Sequence, residues 1–234
     1  MPSVLFPYFL LCMILQTDID AFSHKLKTYD LHPHPDSRVL ALYSAAITVA
    51  DDGLLDAVID MGLRINVSRE TFYEIVLQSY LFLGFPRMLN AADHLEKRLP
   101  CNNSESMLVP ISTDESQTWF NRGVDLCRKV YSGNYELLKN RVESFAPDIF
   151  RWMVFEGYGK VLSRPGLDPV DRELAIVACL MVEDRQKQLS SHIRGALNVD
   201  AKRILIEEVI NDVAPLAPEG HQSALAILEH LGKK

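Results

Sequence analysis

Ser190-Ser191-His192-Ile193-Arg194-Gly195-Ala196-Leu197-Asn198 sets an imidazole and a guanidinium two residues apart, just ahead of a small-residue break. Leu189, Ile193 and Ala196 recur at helical spacing, so Gln186 to Leu197 predicts a helix with the histidine beside its apolar stripe. A histidine so placed is either a hydrogen-bonded structural residue or a proton carrier. On its N-terminal side, Leu174, Val177, Ala178 and Met181 predict a second helix, with Asp168 or Asp171 as its cap. On its C-terminal side, Asp200 precedes a third helix carrying Ile204, Leu205, Val209 and Ile210. Ser223 to Leu231 closes the chain with Leu225 and Leu228 inward.

Helical periodicity extends over the rest of the chain. Asp36-Ser37 offers a cap before an almost wholly apolar helix with Val39, Leu40, Leu42, Ala45, Ala46 and Val49. Asp51-Asp52-Gly53 stops it, Leu54 to Leu63 makes the next, and Ser68 caps another through Phe72, Ile75, Val76, Tyr80 and Leu83. Gly84-Phe85-Pro86 breaks that pattern, and Arg87 to Leu99 resumes it. Pro100 to Gln117 has a linker composition, although Met107, Leu108, Val109 and Ile111 have apolar surface to bury. Trp119 to Tyr131 and about 147–163 are helical again. No segment alternates with period two, so the fold class is all-α.

With 48% hydrophobic residues in 234, the chain has enough apolar surface for one large domain or two small ones. A net charge of −7 without any basic run argues against nucleic acid, whose phosphates need a concentrated cationic surface. The apolar stretch Met1 to Gln16 is too short to span a bilayer, and it lacks the basic lead and small-residue cleavage site of a signal peptide. It reads as an extra helix or an over-extended start, or else as a targeting segment. Cys12, Cys101, Cys127 and Cys179 are scattered, with no Cys-x-x-Cys pair and no histidine at ligand spacing, so no metal or other cofactor is expected. Cys127 and Cys179 read as buried thiols of a reducing, cytoplasmic environment. The Asn66 and Asn102 sequons carry little weight alone.

The two halves repeat. Arg38 to Met61 with Gly62 aligns with Arg172 to Arg194 with Gly195, one residue longer in the first copy, and Tyr73-Glu74-Ile75-Val76 aligns with Glu207-Glu208-Val209-Ile210. Two such copies pack most simply about a pseudo-twofold axis. Aligned on the two glycines, Ile59 stands at the place of His192 and Met61 at that of Arg194, leaving a scaffold copy and a site copy. The expected organisation is an apolar segment (1–20), a degenerate first core (21–99), a linker (100–117) and a second domain (118–234).

Arg164-Pro165-Gly166-Leu167-Asp168, the Arg172-led apolar helix and His192-Ile193-Arg194 with its small-residue turn form an ordered series. That series resembles the carboxymuconolactone decarboxylase family. From about Trp119 onward the chain resembles the whole decarboxylase unit. Asp36 to Leu99 resembles only the core shared with alkylhydroperoxidase D-like proteins, and Gly84-Phe85-Pro86 is similar to the ending of that core. The resemblance implies a compact helical fold that assembles as a homo-oligomer, and a lyase acting on a small anionic lactone or keto acid. Such a reaction needs a cation for a carboxylate and a proton donor, roles that Arg194 and His192 suit. Two residues apart on a helix, they point about 200° from one another. Arg194 is therefore equally a structural partner of Glu156 or Glu173.

Two departures qualify the likeness. Gly159-Lys160-Val161-Leu162 replaces the family's Gly-Glu-Val-Trp, placing Lys160 where an acid stands and leaving Glu156, one turn earlier, as its substitute. The peroxidase branch uses Cys-x-x-Cys-x-x-x-His, but Arg185 and Gln188 occupy the two cysteine positions here, and without a thiolate there is no nucleophile for a peroxide. The candidate catalytic set is His192, Arg194, Glu156 and Lys160. A family-label antioxidant and a non-catalytic binding or assembly module remain as alternatives.

Overall fold

Two helices with almost no polar face must be surrounded on every side, and they lie at the centre of the molecule. The computed structural model describes residues 16–101 and 111–231, all of whose regular elements are helical. The stretch Met1 to Leu15, the Asn102 sequon and Met107 to Val109 lie outside the described residues.

Helix α1 runs over 16–25 and leads through one 3-10 turn, Leu26–Thr28, to α2 (Pro35–Val49). α2 is buried from Arg38 to Thr48. It starts earlier than the Asp36-Ser37 pair suggests. Pro35 occupies the first turn behind a left-handed His34, since its missing N–H costs nothing where no intrahelical acceptor exists. α3 (Asp52–Arg64) starts from Asp51, whose side chain accepts from Leu54 N. α4 (Arg69–Arg98) starts from Ser68, which accepts from Thr71 N. Gly84, at φ 77° and ψ 167°, kinks α4 rather than ending it. A side chain is strained at that φ, and Pro86 lacks the N–H to restore the ladder.

α5 (Thr113–Tyr131) begins well inside the expected linker. Ser112 accepts from Glu115 N, the cap that a Ser-x-x-Glu sequence makes possible. A 3-10 turn then leads to α6 (Tyr135–Glu143), which its weak apolar pattern had hidden. α7 (Pro147–Trp152) runs directly into a π-helix, Met153–Leu162. α8 (Pro169–Val182), α9 (Gln186–Asn198), α10 (Arg203–Val213) and α11 (Pro218–Leu231) complete the chain. Pro169 opens α8, and Asp168 holds the cap position without a side-chain cap bond. Pro218 likewise sets the start of α11 earlier than Ser223.

α2 and α8 lie against each other, and Ser44 Oγ donates to the Ala175 carbonyl at 2.7 Å. Each central helix is led by a buried arginine that clamps a helix of the other half. Arg38 donates from Nε and Nη2 to Asp212 on α10, both at 2.7 Å. Arg172 donates to Glu74 at 2.8 Å and to Gln78 at 3.3 Å on α4, and also to the backbone carbonyls of Arg164 and Leu167. Arg172 is 1% exposed and Asp212 is 1% exposed, so removing one partner would strand a buried charge at a cost of about 3–5 kcal/mol.

α5 packs on the π-helix backbone to backbone. A Cβ at Gly123 would collide with the Val154 carbonyl and with Gly159 N, and one at Gly159 would collide with the Trp119 carbonyl. The paired glycines permit this approach, which sets Glu156 and Tyr158 of the π-helix facing α4 and α9.

Candidate functional site

α8 contributes one polar residue, beside Arg172, to an otherwise apolar buried surface. Glu173 is 2% exposed and meets His192 of α9, Oε2 to Nδ1, at 2.9 Å. The two helices are adjacent, and Gly195, one turn beyond the histidine, makes room for the carboxylate. A Cβ there would sit 2.6 Å from Glu173 Oε2. The small-residue break after His192 thus has a local cause.

A carboxylate can only accept, so the hydrogen on this contact belongs to Nδ1 of the imidazole. That fixes the neutral ring in the tautomer whose Nε2 carries the lone pair. His192 is 7% exposed and lines a cavity of about 500 Å³, together with Tyr80 and Phe82 of α4, Tyr131 of α5, Trp152 of α7, Glu156 and Tyr158 of the π-helix, and Gln188 of α9. Ile149 and Trp152, 57% and 61% exposed, stand at its solvent side. Phe82 presents itself edge-on to the imidazole, centroids 5.6 Å apart, and helps hold the ring's plane.

Four of the remaining polar residues form two pairs. Tyr80 donates its hydroxyl to Glu156 Oε1 at 2.9 Å, and burial followed by this contact pushes the Tyr80 phenol well up. Tyr131 and Tyr158 are hydrogen bonded, and burial raises both phenols, Tyr131 to about 12. They therefore remain neutral donors at any physiological pH. Cys127 is buried nearby; desolvation, and then the charge of Glu173, push its thiol up to about 12. A thiol held protonated in this way is no nucleophile.

The four expected site residues are divided by the fold. His192 and Glu156 line the same cavity. Lys160 lines an adjacent groove, with Nζ 5.8 Å from the centre of the Trp119 ring. Arg194 lies on another side of α9, with Tyr131, Asn134 and Arg141. It is not the partner of Glu173, which holds His192, nor of Glu156, which holds Tyr80. Sequence reasoning had Glu173 among the acids near the motif and did not couple it to the histidine. The available signal was one acid, next to an arginine, at the head of a run of nine apolar residues, Leu174 to Val182.

Cavity-lining residues among those described include no cysteine, and no described group of three or more His, Cys, Asp or Glu side chains has the makings of a metal site. What the arrangement can do is take up a proton at Nε2 and return it. The carboxylate on the opposite nitrogen holds the ring in register for that exchange.

Over 147 residues the chain is 25% identical to "Peroxisomal protein 2" of Schizosaccharomyces pombe, covering 62% of this chain and 68% of that protein. Residues 147–230, which carry the π-helix, Glu173 and His192, match the model of the carboxymuconolactone decarboxylase family.

Proposed function

We propose that this protein is an enzyme that moves a proton at a carbon next to a carbonyl, with His192 as acid and base and Glu173 as the residue that orients it. The decarboxylation of a carboxylated lactone and the isomerisation of a keto acid share this step. The observation that carries the reading is the geometry of His192: Nδ1 tied to a buried carboxylate, Nε2 without a hydrogen-bond partner among the described residues, and the ring lining a cavity of about 500 Å³. A merely structural histidine would have both nitrogens satisfied or be packed on all sides. The cavity holds no lysine or arginine, so the part of the substrate that lies against His192 is uncharged. The lyase reading of the family fits this site better than the antioxidant one, because the nearest buried thiol is kept protonated.

The same reading treats the first half as a scaffold copy. Its support is reciprocal pairing. Arg38 aligns with Arg172 and Gln78 with Asp212, and each arginine reaches the other half's partner. Ser37 and Asp171, aligned with each other, are hydrogen bonded across the two halves. Val39 and Ile59, both wholly buried, take the places of Glu173 and His192, so the first copy keeps the packing without the proton relay. An enzyme of this kind would work in the cytoplasm, or in the compartment named for the yeast relative.

A thermal-shift screen with small lactones, keto acids and neutral ketones, run in parallel on His192→Gln, tests the site. Compounds that stabilise the wild type and lose that effect in the variant support it. A ligand that stabilises both proteins equally counts against it.

A further inference from the structure

A second groove, of about 690 Å³, adjoins the histidine cavity and shares Tyr80 with it. Its walls are Leu77, Phe85 and Met88 of the kinked α4, Trp119 and Arg122 of α5, and Lys160 of the π-helix. Arg164 also reaches it but is committed to Glu74, at 2.9 Å. Arg122 and Lys160 have no carboxylate within ion-pair distance among the described residues. Arg122 touches only the Gly159 carbonyl at 3.5 Å, and its buried Nε has no acceptor. A buried guanidinium N–H with nothing to donate to is costly, so an acceptor that completes it is strongly favoured. The ammonium of Lys160 lies over Trp119, leaving its N–H groups available. Glu115 is the one acid lining the groove.

The division of charge between the two cavities is the informative feature. The side with the proton relay has no cation, and the neighbouring side has two without ion-pair partners and an apolar floor. We propose that this groove binds the anionic head, carboxylate or phosphate, of an amphiphilic substrate. The apolar body of that substrate lies along Tyr80 and brings its carbonyl carbon to His192. The inference rests on the proton-transfer reading for what happens at the far end, but the binding it asserts is separate from it. Lys160 then acts as a specificity residue for the charged end, 32 positions from the histidine in the chain and on the groove that adjoins its cavity.

Isothermal titration calorimetry of the full chain with octanoate, octyl phosphate and octanamide tests the groove. The wild type should bind at least one of the two anions about tenfold more tightly than the uncharged amide, the gain expected from one charge-assisted contact. Lys160→Gln and Arg122→Gln should each remove most of that preference while leaving amide binding in place, and Lys160→Arg should restore it. Should Arg122→Gln fail to fold, the partly exposed Lys160 decides alone. Which anion is preferred identifies the head group. Equal affinities for anion and amide, or an unchanged preference in Lys160→Gln, would overturn the groove and leave the proton-transfer reading untouched. Anion preference with no His192-dependent chemistry would do the reverse.

Discussion

Gly195→Ala tests whether the small residue after the histidine exists for the sake of the carboxylate. The added methyl would lie 2.6 Å from Glu173 Oε2 and 2.8 Å from Val130 Cγ1, closer than real Cβ contacts come. Within a helix, alanine is favoured over glycine by about 0.5–1 kcal/mol, and overpacking a dense interior costs about 1–3 kcal/mol. The net loss is then about 0–2.5 kcal/mol, a fall in Tm of at most roughly 10 °C for a chain of this size. Tm alone is thus a weak discriminator. The stronger one follows from the identity of the crowded atom, since Oε2 is the oxygen that holds His192 Nδ1 at 2.9 Å. If it moves, the Nδ1–H bond lengthens, and the slowly exchanging ring proton that this bond should give the wild type in NMR should broaden or vanish in the variant. Gly53→Ala is the control, because the nearest atom to its new methyl is Asp51 Oδ1 at 3.4 Å, an ordinary contact. That variant should be unchanged or slightly stabilised. A Gly195→Ala protein as stable as Gly53→Ala, with the His192 ring proton unaltered, would refute the reasoning.

Other consequences are separable. Glu74→Gln leaves the buried Arg172 facing a neutral amide, and the expected loss is about 3 kcal/mol, roughly 6–12 °C in Tm, the low end because glutamine keeps one acceptor. Burial alone would raise the carboxyl of Glu74, but the hydrogen bonds and charges of Arg164 and Arg172 outweigh it and hold the group below the usual carboxylate range. Its contribution is therefore present above the ordinary carboxylate pKa and is lost as pH falls through the lowered one. Melting curves of wild type and variant should converge in acid, and a gap that persists there would contradict the ion pair. Cys127 and Cys179 are buried with thiols pushed up to about 12 and about 11, so mass mapping after iodoacetamide treatment should find neither labelled in the native protein and both labelled in urea. Native-state labelling of Cys127 would mean that the space beside Glu173 opens to solvent.

Much of the fold is legible in the sequence because it follows from local chemistry. Ser68 caps α4, Gly84 and Pro86 kink it, and the apolar runs at Val39 and Leu174 are buried as unrelieved hydrophobic helices must be. The losses have physical causes too. Ser112 and Glu115 sit in a polar, linker-like stretch, which conceals a capping signal for α5. The π-helix leaves no periodicity of its own, and its only trace is the glycine at 159, which needs Gly123 from a different helix to be understood. His192 stands out by its motif, whereas its partner lies 19 residues away on another helix. Arg194 and Lys160 were grouped with it by sequence proximity and family pattern, and the helix geometry turns them toward other faces.

Solvent-deuterium exchange into a carbonyl compound is the most direct measure of the proton relay. The protein is incubated in deuterium oxide with the ketones, lactones and keto acids it binds, and label at the carbon beside the carbonyl is followed by NMR. Wild type should incorporate deuterium above the buffer rate, His192→Gln should lose about 10²–10⁴-fold of that acceleration, and Glu173→Gln should keep only part of it. Exchange at the same rate in wild type and His192→Gln would contradict the account.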